Sequence, residues 1–246
     1  MNEQAEYMQD FMKIFQPLKR WGPGSEADTL RALRQLPEST SSLLEIGSGN
    51  GLATKVIVEN TRANVTAVDS EASALERLNT MLTQGDFKDR VTTACQDMAD
   101  LDFAEESFQA VWSEGSAYII GVEEALAMWR RFIAPNGYLV LSDLVWRTDE
   151  PSEAAVAFWT TEYPDMQSVS LRQQQMQNAG YRLIEDFPHS QASWDNYYVP
   201  LTNRLQALHD SMHESAAYQD IAREVSVATR FVEEFGYHMF VLQKID

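Results

Sequence analysis

Five carboxylates and three glycines have spacings from which chemistry can be read. Glu45, Gly47, Gly49 and Gly51 alternate along one short stretch, and the run Leu43-Leu44-Glu45-Ile46 leads into it. Glycine has no Cβ, so the backbone can turn sharply there and a ligand can approach it closely. A glycine turn that opens a helix at the end of a first parallel strand is where α/β proteins bind nucleotides. Asp69 ends the next apolar run, twenty residues after Gly49, which is the spacing of an acid that accepts from a ribose. Glu45 sits inside the strand end, where a carboxylate is costly to bury without a partner. Asp97 follows a third apolar run and by itself reads as a cap or turn residue. Glu114 and Asp143 end two further runs. Each reads as a hydrogen-bonding group or, for an acceptor that must lose a proton, as a base.

The elements that position these residues follow from hydrophobic periodicity. Strands are expected at 42–46, 64–69, 90–95, 107–113, 138–143, 181–187 and 236–244. Helices are expected at 51–60, 71–82, 123–133, 152–161 and 168–179, the last stopped by Gly180. Pro135-Asn136-Gly137 reads as a turn. Upstream, residues 3–15 form an amphipathic pattern with Tyr7, Phe11, Ile14 and Phe15 on one side. The turn Trp21-Gly22-Pro23-Gly24-Ser25 follows, and Ser25 can cap a helix over 26–36 with Asp28 in capping-box position. Between the last two strands lies a long segment, 188–235. It opens with Trp194, Tyr197 and Tyr198 and continues in helical pattern. It reads either as a substrate lid or as a packing pair or dimer contact.

Glu45-x-Gly47-x-Gly49-x-Gly51 followed by Asp69 resembles motif I and the acidic second strand end of class I S-adenosylmethionine (SAM)-dependent methyltransferases. The resemblance continues through Asp97, Trp112-Ser113-Glu114-Gly115 and Pro135-Asn136-Gly137. It is greatest to small bacterial methyltransferases with Gly-Pro-Gly-Ser upstream and Trp-Ser-Glu-Gly after the fourth strand. It implies a Rossmann-like α/β fold with a seven-stranded, mostly parallel sheet and an antiparallel last strand. It also implies SAM as cofactor, with Asp97 accepting from the adenine amine and Met98 packing on the ring. Gly24 and Ser25 would lie near the methionine carboxylate, and Ser70 and Ser113 would join Glu45, the glycines and Asp69 around the cofactor. Glu114 is the candidate catalytic residue. Tyr118, Asp143, Trp146, Trp194 and Tyr198 are the candidate acceptor pocket. A dehydrogenase fingerprint would place Gly or Ala at position 52, which is Leu52. A nicotinamide oxidoreductase and a non-catalytic SAM-binding protein are the competing readings.

Composition narrows the acceptor. The 246 residues carry a formal net charge of −18, which repels phosphate backbones and anionic membrane surfaces. The Asn/Asp-Pro-Pro-aromatic motif of DNA adenine methyltransferases does not follow the fourth strand. A small-molecule acceptor is therefore expected, with neither nucleic acid nor membrane as partner. Cys95 is the only cysteine; it reads as a buried strand residue and suits a reducing compartment. With no signal-peptide pattern at Met1-Asn2-Glu3-Gln4, the expected location is cytoplasmic. His209 and His213 are spaced i, i+4, but no third ligand pattern accompanies them, so no metal is expected. One methyltransferase domain is expected over 1–246, as monomer or homodimer. It divides into a helical lid (1–37), a SAM-binding core (40–187), a helical insertion (188–235) and a last strand (236–246).

Overall fold

The computed structural model describes residues 3–85 and 87–245. Among them, eight strands form one sheet: β1 (Ser42–Ile46), β2 (Asn64–Asp69), β3 (Val91–Cys95), β4 (Phe108–Glu114), β5 (Ile133–Trp146), β6 (Gln167–Ser168), β7 (Tyr181–Pro188) and β8 (Phe235–Lys244). Their order is β3-β2-β1-β4-β5-β8-β7, with β6 paired to the end of β5. The first five are parallel to one another, and β8 runs antiparallel to both β5 and β7. This is the Rossmann-like α/β fold that the resemblance implies, except that the two-residue β6 beside the end of β5 makes the sheet eight-stranded where seven strands were expected. The order reverses between β1 and β4, so the chain opens a crevice at the carboxyl ends of these two strands.

Residues alternate faces along each strand. Leu44 and Ile46 of β1 pack with α5 (Val122–Arg130) and α7 (Val169–Asn178). Leu43 packs on the other face with α2 (Glu26–Leu33), α3 (Leu52–Asn60) and α4 (Ala72–Gln84). Trp112 and Trp129 are fully buried, one on each face. At ~25 cal/mol per Å² over the ~150–250 Å² an indole hides, each contributes at most roughly 4–6 kcal/mol. A third core lies beyond the carboxyl edge of β5. It joins α1 (Glu3–Phe15), α6 (Glu153–Glu162), α8 (Gln191–Met212) and α9 (Ala216–Arg230) to Leu144 and Phe235.

Several expectations need correction. Pro135-Asn136-Gly137 is not a turn between elements. It lies inside the long strand β5 as an irregularity, with Asn136 at φ 59° and the register to β4 shifted. Cys95 is exposed, because β3 is the edge of the sheet. The expected lid over 1–37 divides in two. α2 packs on α3 as part of the helical layer, whereas α1 packs on α8 and α9; Met1 and Asn2 lie outside the described residues. So does Asp246 of the last strand. Ser25 caps α2 through its hydroxyl, 3.1 Å from the Asp28 amide. The Asp28 carboxylate does not close the capping box. It accepts from the Ser190 amide and hydroxyl, each at 3.0 Å, and from the Ser193 hydroxyl. α2 is thereby fixed to the start of α8.

Candidate functional site

The glycine turn between β1 and α3 is held by its neighbours' backbone. The Gly47 and Ser48 amides both donate to Val68 O of β2 at 2.9 Å, and the Gly51 amide donates to Ser48 O. The three glycines are required for different reasons. A Cβ on Gly47 would collide with the Ser116 hydroxyl beyond β4, and one on Gly51 would collide with Leu78 of α4. Gly49 has φ +51° and open space where a Cβ would project. Of the three, it alone has open space where a side chain would project. Gly51, expected at the cofactor, serves helix packing.

That opening is a cleft of about 540 Å³ over the carboxyl ends of β1, β2, β3 and β4, within the ~300–1,000 Å³ usual for small-molecule sites. Of the expected cofactor residues, it is lined by Glu45, Gly47, Gly49, Asp69, Ser70, Asp97 and Met98. Asp69 braces the turn: Oδ2 accepts from the Gly49 amide at 2.7 Å and Oδ1 from the Glu71 amide at 2.9 Å. A carboxylate oxygen has a second lone pair, so the brace leaves acceptor capacity facing the cleft. Asp97 Oδ1 accepts from the Ala99 amide at 2.9 Å; among the described residues, Oδ2 has no partner.

Glu45 has its required partner. It is 3% exposed, accepts from the Thr54 hydroxyl of α3 at 2.6 Å, and burial pushes its carboxyl up to about 8. Burial therefore favours its neutral acid form, at the wall of the cleft. Glu114 lies on the same sheet face, two residues beyond Trp112, which pairs with Glu45 across the β1–β4 ladder. Its Oε1 accepts from the Thr29 hydroxyl at 2.8 Å and from Trp112 Nε1 at 3.0 Å. Burial raises the Glu114 carboxyl; the Thr29 hydroxyl, nearby Arg20 and the Trp112 indole oppose the rise.

Other expected residues do not reach the cleft. Ser113 is fully buried and bonded to the Ser116 hydroxyl at 2.6 Å; Ser116, one turn on, lines the cleft instead. The Gly24 amide donates to Ser193 O at 3.1 Å, and the Ser25 hydroxyl accepts from the Asp28 amide; neither residue lines the cleft. Of the acceptor-pocket residues only Tyr118 lines the cleft. It is 43% exposed, and its ring stands edge-on to Tyr163 at 5.5 Å. Asp143 is 1% exposed and pairs with fully buried Arg172 at 2.8 Å while accepting from the Tyr163 hydroxyl. Burial raises its carboxyl to about 6, and the guanidinium keeps the pair ionised at neutral pH. Trp146 and Trp194 both stand against Phe235, and the Tyr198 hydroxyl donates to Glu224 at 2.9 Å. These aromatics form the third core, one layer behind the cleft.

Residues 188–235 therefore support the roof without being the roof. The roof itself is α1, through Met8, Phe11, Met12 and Phe15, with Ile119 and Tyr118 on the opposite rim. Sequence reasoning placed Phe11 and Phe15 on one helix side but did not assign them to the site. It also missed Arg20. Asn50, in the glycine turn, donates to Leu18 O and Lys19 O at 3.2 and 3.1 Å, which brings Arg20 to the cleft. A signal existed: Lys19-Arg20 is a basic pair immediately before the Trp21-Gly22-Pro23-Gly24-Ser25 turn in a strongly acidic chain. His209 and His213 bond to Tyr218 and to the His209 carbonyl. Among the described residues no three metal-binding side chains cluster, and no helix is long and apolar enough to cross a membrane.

Residues 44–141 match the family model described as a methyltransferase domain. No curated protein matches the sequence. The fold is similar to that of the E. coli protein YjhP, at 17% identity and TM-score 0.81, covering 94% of this chain and 98% of that one. It is similar to a SAM-dependent methyltransferase from Geobacter sulfurreducens, solved with S-adenosylhomocysteine, at 17% identity and TM-score 0.78. That match covers 94% of this chain and 96% of the other. A third likeness is to the cyclase SpnF, at 15% identity and TM-score 0.78, covering 99% and 96%.

Proposed function

We propose that this chain, whose residues 44–141 match the methyltransferase-domain family model, methylates a small-molecule acceptor at the expense of SAM. The observation that carries the reading is the cleft itself. It combines bare backbone at Gly49, acceptor oxygens at Asp69 and Asp97, and a hydrocarbon roof. These residues fit the cofactor from one end to the other. In this reading Asp97 and Met98 take the adenine, Asp69 the ribose hydroxyls, and the Gly47–Gly49 backbone the chain beyond. When bound, SAM supplies an activated methyl carbon on a sulfonium.

The protein's own contribution is orientation and exclusion of water. Phe11, Met12 and Phe15 cover the cleft from α1, while Tyr118 and Ile119 form the rim through which an acceptor enters. The side chains of α1 and the Ile119 rim that cover this entrance are predominantly hydrocarbon, which favours an acceptor with an apolar body. A base is required only if the attacking atom must lose a proton. With Oε1 of Glu114 already accepting two hydrogen bonds, the reading assigns this carboxylate to binding. The acidic chain argues against nucleic acid as acceptor, and the absence of a disulfide partner for Cys95 suits a reducing, cytoplasmic setting.

Calorimetric titration with S-adenosylhomocysteine and NADH, then a screen of small acceptors with methyl-labelled SAM, tests this. Binding of the first ligand alone, followed by label in an acceptor, is the expected outcome. NADH binding in its place would return the chain to the oxidoreductases. A second reading is favoured by the likeness to SpnF, a cyclase of the same fold: SAM is bound but no methyl is transferred. S-adenosylhomocysteine binding with no labelled acceptor in any class would favour it.

A further inference from the structure

The layer behind the cleft holds a carboxylate that lacks a cation. Glu224 of α9 is half-buried among the aromatics of the third core, and the Tyr198 hydroxyl donates to it at 2.9 Å. Among the described residues it forms no ion pair, and the charge that acts on it, Glu162 of α6, has the same sign. Burial raises its carboxyl to about 7, against the pull of the Tyr198 and Tyr197 hydroxyls. Three tyrosines connect this carboxylate to the cleft. Phe15, Gly115 and Tyr118 line the cleft at its β4 end. Tyr197 stands behind Phe15, with ring centroids 6.4 Å apart. Tyr237 of β8 lies under Gly115, where a Cβ would be 3.2 Å from its ring and 3.6 Å from its hydroxyl. Tyr237 is half-buried, and among the described residues neither its hydroxyl nor that of Tyr118 has a hydrogen-bond partner. After burial, the Glu224 charge is the largest influence that raises the Tyr118, Tyr197 and Tyr198 phenols, and it raises Tyr237 as well. Four phenols thus gather around one anion.

A carboxylate held largely out of water without a cation is costly unless something completes it. An ammonium carries three N–H donors. The Glu224 carboxylate and the free Tyr118 and Tyr237 hydroxyl oxygens offer three acceptors, and tyrosine faces attract the same charge. We infer that Glu224, Tyr118 and Tyr237 hold the ammonium head of the acceptor, so that the molecule methylated is an amine. The inference rests on the methyltransferase reading only in calling this amine the acceptor. Its body lies outward, along the exposed Met8 and Ile119 at the mouth of the cleft. An ammonium nitrogen has no lone pair until it sheds one proton. Glu224 receives that proton, and the electrons of the broken N–H bond stay on nitrogen.

The experiment uses one apolar body with three heads. Hexylamine, hexanol and hexanoate are titrated calorimetrically into wild type, Glu224→Gln and the double variant Tyr118→Phe/Tyr237→Phe, each with and without saturating S-adenosylhomocysteine. Wild type should bind hexylamine at least about tenfold more tightly than the other two. Glu224→Gln should lose that preference while its affinity for S-adenosylhomocysteine stays within about twofold, which shows that it is folded. The double variant keeps the carboxylate and both rings, and should lose at least about threefold for hexylamine. It decides the question if Glu224→Gln does not fold. In an acceptor screen with methyl-labelled SAM, label should enter amines. No preference for hexylamine in wild type, a preference that survives in both variants, or label in alcohols or acids but not in amines overturns the inference. Wild type that binds hexylamine but not S-adenosylhomocysteine keeps the ammonium site and sinks the methyltransferase reading instead.

Discussion

The cleft has two walls built on different physical terms. On the β1–β3 side, position is set by backbone: a turn pinned to Val68 O, a carboxylate braced by two amides, a glycine with nothing over it. On the α1 side it is set by side chains that meet only in three dimensions. Ile14, Phe15, Trp194, Tyr197 and Phe235 come from distant parts of the chain and share one core. A backbone-built wall tolerates almost no change at a few positions. A wall built by packing spreads its requirements over many residues. The first fixes what the protein binds, and the second holds the roof above it.

Substitutions separate the two walls. The largest effect is expected behind the roof. Arg172→Met leaves Asp143 buried without its cation and should cost about 3–5 kcal/mol of stability. Chemical denaturation measures this, and S-adenosylhomocysteine affinity of the folded fraction should stay within about twofold. A large loss of affinity would mean that the two walls are not independent. Next is Gly49→Val. A β-branched residue at φ +51° is strained and its side chain enters the cleft, so ligand affinity should fall at least about 100-fold, about 2.7 kcal/mol. Normal binding by this variant would make the turn purely structural. Asp69→Ala should weaken ligand binding by roughly 1–3 kcal/mol, since ribose loses a charged acceptor and the Gly49 amide its brace.

The last effect is a slope with pH rather than a fixed loss. Glu45 titrates near 8 in the folded chain against an ordinary 4.5. Between those values the native state keeps a proton that the unfolded chain has released, so stability falls as pH rises and levels off above about 8. The slope is at most ~1.4 kcal/mol per pH unit, and Glu45→Gln should lack it. Parallel denaturation curves for the two proteins from pH 5 to 8 would refute the neutral acid.

The difference between the walls also explains what the sequence disclosed. β1 and β2 span the residues expected of them, and Asp69, Asp97 and Gly49 face the cleft, because glycine spacing and strand ends are local properties. Arg20, Ser116 and the α1 roof were missed because their placement depends on long-range ties. Asn50 reaches back thirty-odd residues to Leu18 and Lys19, and Asp28 reaches forward to Ser190. Trp194 and Tyr198 were misplaced for the same reason. An aromatic cluster near a pocket in sequence order looks the same whether it forms the lining or the layer behind it, and only packing against Phe235 distinguishes the two.

The position of β8 has a consequence for how the molecule assembles. It pairs along most of β5 and β7 at once, yet it follows both in sequence, with α8 and α9 in between. Emerging from a ribosome, the β1–β5 half can pack while β5 still presents an open edge. The sheet closes only when residues 235–244 arrive. The intervening helices are the loop that this closure must span, and the entropic cost of a loop rises only about 0.6 kcal/mol per doubling of its length. The helical segment between β7 and β8 is therefore nearly free to lengthen or shorten over evolutionary time. The roof's support can be rebuilt for a new acceptor while the glycine turn beneath it stays as it is.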